Sequence, residues 1–200
     1  FLVSGDSIWK GRKLYDIYKS AHTPWEWHKT IFKRATELGL LAFSTPFDSS
    51  AVDFLESLNV PCYKVSSFEI NDFKLIKAIA KTRKPIILST GTSDIIEIKK
   101  TLNLINKYHN KVIILHCVSS YPTPIEEANI NVLKKLKSIF KKNLIGLSDH
   151  TDNIFSSIAA CTMGIVAIEK HFKVSDKIKS YDSSFSIDSK NTTFLKEAIL

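Results

Sequence analysis

The sequence has no apolar segment long enough to cross a membrane, because no window offers the ~20 apolar residues that a transmembrane helix needs. Its first residues, FLVSGDSIWKGRK, also lack the charged-then-apolar layout of a secretory signal. We therefore expect a cytoplasmic protein with no membrane partner. The chain starts at Phe1 rather than at methionine, and we interpret it as a fragment of a longer protein.

Cysteine is scarce, and its spacing does not favour cross-links. The three cysteines, Cys62, Cys117 and Cys161, lie in or beside apolar runs and form no CxxC pair. An odd number in such settings favours reduced thiols over a disulfide framework. We expect each of the three to be a small core residue.

Clustered positive charge is missing as well, although the formal net charge is +8. The lysines are scattered along predicted helices without interleaved aromatic residues, as Lys74, Lys77 and Lys81 illustrate. This distribution predicts solvated helix faces and no nucleic-acid partner. The excess of charge would at most steer an anionic substrate toward the protein.

What the sequence does contain is an alternation of β-rich and helical segments. The predicted strands are 41–47, 62–69, 85–91, 112–121, 144–150 and 166–172. Two apolar stripes between them, 51–58 and 95–105, have helical spacing; we expect Asp48 to cap the first helix and Thr92 or Ser93 the second. The further predicted helices are 26–39, 72–82, 127–140, 154–163 and 191–200.

Alternating strands and helices are typical of parallel βαβ units. Six such units fit either an open doubly wound sheet or a (β/α)₈ barrel. A doubly wound fold usually carries a glycine-rich nucleotide loop after its first strand, and this sequence has none. A complete barrel takes about 250 residues. We therefore predict one partial TIM-barrel domain over 1–200, with six of eight units present and 1–25 forming a long loop.

Polar residues follow every predicted strand, which favours the barrel, since barrel enzymes build their sites from the carboxyl ends of several strands. These residues are Thr45, Asp48, Lys64, Ser67, Glu69, Ser89, Thr90, His116, Ser119, Tyr121, Ser148, His150, Glu169 and His171. Their convergence on one rim is the main argument for an active site.

Most of these side chains suit a small, highly charged anion such as a phosphate ester. Lys64, on a buried strand, is costly unless it meets an anion, and the serines supply hydroxyl donors. Glu69 suits a general acid or base, or the binding of a sugar hydroxyl. The alternatives are that the serines cap helices and that Lys64 and Glu69 form a structural ion pair.

The two histidines His150 and His171 end consecutive predicted strands. Two neutral imidazoles, completed by water and substrate oxygens, suit Mn²⁺, Mg²⁺, Co²⁺ or Fe²⁺ better than a structural zinc. Asp149 and Glu169 would then orient these ligands. Taken singly, strand-end histidines are more often structural, so the spacing leaves both readings open.

Six motifs in order, FSTPFD, YKVSSFE, IILSTG, CVSSYPTP, GLSDHT and IEKHF, resemble those of the sialic acid synthase family. The segment GRKLYDIYKSAHTPWEWH, at 11–28, resembles the branch of that family that makes pseudaminic acid. The resemblance covers nearly the whole chain.

The resemblance implies a (β/α)₈ barrel that acts as a carbon–carbon bond-forming transferase. It would condense phosphoenolpyruvate with 2,4-diacetamido-2,4,6-trideoxy-altrose, giving a nine-carbon 2-keto sugar acid and phosphate. Such a product serves surface glycan or flagellin modification. The alternatives are an N-acetylneuraminate or legionaminic acid synthase, and an inactive truncated barrel.

The family's site residues carry over to matching positions. Phosphoenolpyruvate would bind Thr45, Lys64, Ser67, Ser89, Ser119 and Ser148, and the sugar would bind Glu69, Tyr121 and Asp182. We expect Lys64 and Glu69 to be catalytic, and His150 and His171 to hold a divalent metal, commonly Mn²⁺, with Mg²⁺ or Co²⁺ as alternatives. The family's first two strands and its C-terminal antifreeze-like domain, which completes a homodimer, fall outside this chain.

Overall fold

Five parallel strands form the centre of the molecule, in the order β1-β2-β3-β4-β5. The structure is a computed structural model that describes residues 1–4 and 8–199. The strands are β1 (Tyr63–Val65), β2 (Ile86–Ser89), β3 (Val112–Cys117), β4 (Leu144–Asp149) and β5 (Ile168–Lys170). The helices are α1 (Leu14–Ala21), α2 (Trp25–Glu37), α3 (Ser49–Ser57), α4 (Phe73–Lys81), α5 (Ile95–Ile105), α6 (Val132–Ile139), α7 (Phe155–Cys161) and α8 (Ser189–Ile199).

The strand order distinguishes between the two folds that the sequence allowed. Each strand pairs in parallel with the next one along the chain, from Tyr63 opposite Ile86 to Leu147 opposite Ile168. A doubly wound sheet would reverse its order at a switch point. The described strands show no reversal and form a curled half-barrel, so the prediction of an incomplete TIM barrel is confirmed.

The predicted strand at 41–47 is wrong. Residues 40–46 have no regular secondary structure and belong to none of the strands in the described sheet, whose edge strand is β1. Leu41 is 81% exposed, so the apolar run that suggested a strand does not pack into the sheet. An apolar segment becomes a strand only when a neighbour completes its hydrogen-bonded ladder, and this one makes no ladder with β1.

The ends of two helices show how local chemistry sets the boundaries. Asp48 caps α3 as expected, because its Oδ1 accepts a hydrogen bond from the Ala51 amide at 2.9 Å. Helix α5 is capped by Asp94 instead of Thr92 or Ser93, with Glu97 completing a capping box. Helix α1 lies inside the segment 1–25 predicted as a loop, and no side chain caps its start.

The core lies between the sheet and helices α3 to α6, where the apolar faces of the strands and helices meet. The eight lysines of helices α4 to α6 are exposed, which confirms the prediction of solvated helix faces. All three cysteines are free thiols, and Cys117 is the one that is fully buried. None of the helices in the described part of the chain has the length and apolar character needed to cross a membrane.

Candidate active site

The carboxyl ends of the strands surround a cavity of about 340 Å³. Parallel strands place these ends on one edge of the sheet, so residues far apart in sequence meet there. The cavity is lined by Thr45, Phe47, Lys64, Ser66, Ser67, Phe68, Ser89, Cys117, Tyr121, Ser148, His150, Glu169, Lys170 and His171. Eight residues predicted for the site are among them: Thr45, Lys64, Ser67, Ser89, Tyr121, Ser148, His150 and His171.

Lys64 is the buried cation of this cavity, with 7% of its surface exposed. Its Nζ donates hydrogen bonds to Ser89 Oγ at 2.8 Å and to the Val65 carbonyl at 3.1 Å. Its ion pair is made with Glu169 Oε1 at 3.6 Å and not with Glu69, so the alternative pairing considered from the sequence is wrong. The ammonium is thus fixed in position at the cavity wall.

The serine hydroxyls lie around this ammonium. Ser67 Oγ is 2.9 Å from Ser119 Oγ, and Ser148 Oγ donates to Glu169 Oε1 at 2.6 Å. Ser119 reaches the cavity only through Ser67, since it does not line the cavity itself. The hydroxyl of Thr90 points elsewhere and donates to the Leu115 carbonyl at 3.0 Å.

Gly91 allows the loop after β2 to approach β3 closely. A Cβ atom at this position would lie 2.3 Å from Ser119 Oγ and 2.7 Å from Cys117 Sγ. Such distances exclude any side chain without rearrangement of both neighbours. Sequence reasoning did not place Cys117 in the site; burial raises the pKa of its thiol, so it is a neutral part of the wall.

The two predicted metal-binding histidines face each other, with ring centroids 5.4 Å apart. Nδ1 of His150 lies 2.8 Å from the Val118 carbonyl, which can only accept, so Nδ1 carries the proton. Nε2 of His150 is then a lone-pair donor, 3.4 Å from Ser148 Oγ. Burial lowers the pKa of His150, which favours the neutral ring that a metal requires.

His171, like His150, is held through its Nδ1 atom. Its Nδ1 lies 3.3 Å from Asp182 Oδ2, which leaves Nε2 for a ligand. Within residues 1–4 and 8–199, no cluster of three His, Cys, Asp or Glu side chains of metal-site geometry occurs. The pair therefore fits a divalent ion that takes its remaining ligands from water and substrate oxygens, and it does not fit a structural zinc.

Tyr121 packs its ring over both histidines, with centroids 4.4 Å from His150 and 6.3 Å from His171. Burial raises the pKa of its phenol, so the hydroxyl stays protonated and can donate a hydrogen bond. Asp182 lies outside the cavity, at the edge of a neighbouring space that also contains Thr45 and Phe47. It is linked to the cavity through its contact with His171 Nδ1.

Glu69, like Ser119 and Asp182, is a predicted site residue that does not line the cavity. Its carboxylate accepts a hydrogen bond from Ser66, which lines the cavity in its place. Burial raises the pKa of Glu69. Glu169 is the carboxylate that lines the cavity, between Lys64 and Ser148.

Sequence reasoning also missed a buried ion pair directly beneath the histidines. Asp149 Oδ2 lies 3.2 Å from Lys170 Nζ, and their side chains are 2% and 6% exposed. Burial lowers the pKa of Lys170, and the carboxylate of Asp149 opposes that shift. The signal in the sequence was the position of each residue one step before a histidine.

The chain is similar in sequence to synthases of nine-carbon sugar acids. The pseudaminic acid synthase of Helicobacter pylori is 43% identical over 200 residues, which are 100% of this chain and 58% of that protein. The N,N'-diacetyllegionaminic acid synthase of Campylobacter jejuni is 38% identical over 164 residues, which are 80% of this chain and 49% of that protein. The chain thus spans about half the length of these relatives.

A solved structure shows the same fold. The crystal structure of N-acetylneuraminic acid synthetase from Leptospira borgpetersenii, in complex with citrate, superposes with a TM-score of 0.88 at 30% sequence identity. The match covers 92% of this chain and 64% of that one. The model of the NeuB family matches residues 3–200. This chain belongs to the NeuB family.

Proposed function

We propose that the protein containing this chain is a pseudaminic acid synthase, which condenses phosphoenolpyruvate with 2,4-diacetamido-2,4,6-trideoxy-altrose. The observation that carries the proposal is one cavity that holds both a buried ammonium with serine hydroxyls and a histidine pair. The 43% identity to the pseudaminic acid synthase of Helicobacter pylori supports this sugar.

Phosphoenolpyruvate needs a positive, hydrogen-bonding surface for its phosphate and carboxylate. Lys64 provides the buried charge, and Ser67, Ser89 and Ser148 provide hydroxyls within the same wall. Because these groups are already held in place by each other, little side-chain freedom is lost when the anion binds. Thr45 extends this surface at its edge, and Ser119 supports it by a hydrogen bond with Ser67.

Nε2 of His150 and Nε2 of His171 would hold the divalent metal, for which we propose Mn²⁺. When bound there, the metal supplies Lewis acidity for the sugar aldehyde. Tyr121 packs against both rings, and its phenol can donate a hydrogen bond to a sugar oxygen. Asp182, beside His171, can accept a hydrogen bond from a sugar hydroxyl or amide at the rim.

The proposed reaction forms one carbon–carbon bond and one carbon–oxygen bond to water, and it breaks the carbon–oxygen bond to phosphate. The two protons of water end on the former aldehyde oxygen and on the released phosphate. The methylene carbon of phosphoenolpyruvate attacks the open-chain aldehyde, and water adds to the carbon that bears the phosphate. Phosphate then leaves with the bridging oxygen. Glu169 is the carboxylate in the cavity wall, so we assign it the proton transfer to and from water, ahead of Glu69.

The other expectations from the resemblance are part of the same proposal. They are a homodimer, a cytoplasmic location, and substrates limited to small molecules without a nucleic-acid or membrane partner. We propose no cofactor other than the metal, because the histidines, cysteines and lysines of the chain indicate none.

The test is phosphate release by the protein expressed from its complete reading frame, with phosphoenolpyruvate and Mn²⁺. Three sugars are compared: the altrose-derived diacetamido sugar, the legionaminic acid precursor and N-acetylmannosamine. We expect release that depends on metal and on the altrose-derived sugar. Release with another sugar alone would move the protein to a sister branch, and no release with any of them would support an inactive barrel.

A further inference from the structure

The two histidines are placed by two neighbouring strand ends in register. In the pairing of β4 with β5, Ser148 lies opposite Glu169 and Asp149 lies opposite Lys170. His150 and His171 follow as the next residue on each strand. An interaction that fixes Asp149 relative to Lys170 therefore also fixes the backbone positions of His150 and His171.

Asp149 and Lys170 form a buried ion pair, and both side chains make further hydrogen bonds. Asp149 Oδ1 accepts hydrogen bonds from the amide of Thr151 at 2.9 Å and from its hydroxyl at 2.8 Å. Asp149 Oδ2 accepts one from Ser157 Oγ, on α7, at 2.6 Å. Lys170 Nζ donates to the Thr151 carbonyl at 2.5 Å, so the ion pair also holds the chain just after His150.

Stability alone gives no strong reason for this arrangement. Replacing a buried ion pair by apolar residues of similar volume is often neutral or stabilising, whereas removing one partner is strongly destabilising. Asp149 and Lys170 form no part of the proposed chemistry, since their charged groups bond to each other, to Thr151 and to Ser157. Their common feature is that each directly precedes a histidine.

We propose that the Asp149–Lys170 pair is a positioning element, which sets the separation of the His150 and His171 rings and thereby the affinity of the pair for a divalent metal. This inference rests on the metal site in the proposed function. Lys170 lines the cavity, but its ammonium is engaged by Asp149 and by the Thr151 carbonyl. We therefore assign both residues an indirect role, through the backbone positions of the histidines. The pair links β4, β5 and α7 at the last paired residues of the two strands, one residue before each histidine.

The test compares Asp149→Asn, Lys170→Met and the double variant with the unaltered protein, in the absence of both substrates. Mn²⁺ affinity is measured from the electron paramagnetic resonance signal of the free ion. The absorption spectrum of bound Co²⁺ reports ligand geometry. We expect each single variant to bind Mn²⁺ about 10–100-fold more weakly, the range for removal of groups that orient metal ligands, and the Co²⁺ spectrum to change.

The double variant separates positioning from charge balance. It has no unpaired buried charge, so we expect its free energy of unfolding in urea to recover toward that of the unaltered protein. Its Mn²⁺ affinity should stay reduced, because the link between the strands is still absent. Recovery of both the stability and the affinity would overturn the proposal, as would single variants that bind Mn²⁺ normally.

Two further variants serve as a control and as a milder substitution. Glu56→Gln removes the acidic partner of Lys84 in a 2.7 Å ion pair at the opposite end of the strands, and we expect unchanged Mn²⁺ affinity. Ser157→Ala removes one hydrogen bond to Asp149 without changing charge. Should the single charge variants not fold, Ser157→Ala decides: a weaker affinity supports the proposal, and an unchanged affinity contradicts it.

These experiments distinguish a failure of the positioning role from a failure of the proposed synthase activity. An unaltered protein that binds Mn²⁺ but releases no phosphate would contradict the synthase while the positioning role is still measured from the variants. An unaltered protein that turns over substrates, with variants that bind Mn²⁺ equally well, would contradict only the positioning role. An unaltered protein that binds no Mn²⁺ would overturn the metal site and the positioning role together.

Discussion

Lys64 is the buried cation in the wall of the cavity. A buried charge is tolerated only when it is paired and hydrogen-bonded, and Lys64 has Ser89, the Val65 carbonyl and Glu169 as partners. Glu169 is 3.6 Å away, longer than a tight ion pair, and it also accepts from Ser148. An incoming phosphate or carboxylate can therefore share the ammonium without displacing a whole network.

We predict that Glu169, and not Glu69, is the carboxylate that transfers protons during turnover. Glu169→Gln should lower kcat by about 10²–10⁴-fold, the usual contribution of a general acid or base. Glutamine keeps an oxygen to accept the hydrogen bond of Ser148, so binding should change less than turnover. Glu69→Gln should have a much smaller effect, because Glu69 lies behind Ser66.

Steady-state kinetics of the two variants with the complete protein make this comparison. The Michaelis constant for phosphoenolpyruvate reports on the ion pair with Lys64, and kcat reports on proton transfer. A greater loss of kcat in Glu69→Gln than in Glu169→Gln would show that the assignment from the cavity is wrong.

At the scale of the elements, strand ends and helix caps locate the site residues. Asp48 ends the segment that carries Thr45 and begins α3, and Ser50 Oγ and the Ala51 amide both donate to its carboxylate. These hydrogen bonds, that of Ser50 first, hold the pKa of Asp48 below its usual range. Its contribution to stability is therefore present above the unfolded pKa of about 3.9 and is lost as pH falls through the folded pKa.

Asp48→Ala should lower the free energy of unfolding by about 1 kcal/mol at neutral pH, the typical cost of an N-cap. The difference from the unaltered protein should narrow as the pH falls below about 4, where the unaltered carboxylate becomes protonated. Urea unfolding at several pH values measures both effects. Asp48→Asn is the matched control, since asparagine caps equally well without charge; a loss as large as that of alanine would contradict the cap.

The wrongly predicted strand at 41–47 and the unpredicted helix α1 have different physical causes. The 41–47 run has the composition of a strand, but composition does not reveal whether a neighbour completes its hydrogen bonds. Helix α1 lacks a side-chain cap, so it gave no start signal. By contrast, β2 and β3 were predictable because they contain the continuous apolar runs 86–88 and 112–115, which are typical of buried parallel strands.

At the scale of the whole molecule, the consecutive parallel order explains why the site was predictable from sequence. Once the strands are assigned, their carboxyl ends must meet, which brought Lys64, Ser89 and His150 together. Which carboxylate enters the cavity was not predictable, because it depends on the register that places Glu169 opposite Ser148. The Asp149–Lys170 pair depends on the same register and was missed for the same reason.

The central claim is a condensation that releases phosphate by carbon–oxygen cleavage, and one measurement tests it directly. The complete protein is incubated with Mn²⁺, the altrose-derived sugar and phosphoenolpyruvate labelled with ¹⁸O at the bridging oxygen. Mass spectrometry then follows both products. We expect the label to appear in phosphate, only when the sugar is present, together with an unlabelled nine-carbon acid. Phosphate that forms without the sugar, or that lacks the label, would contradict the account.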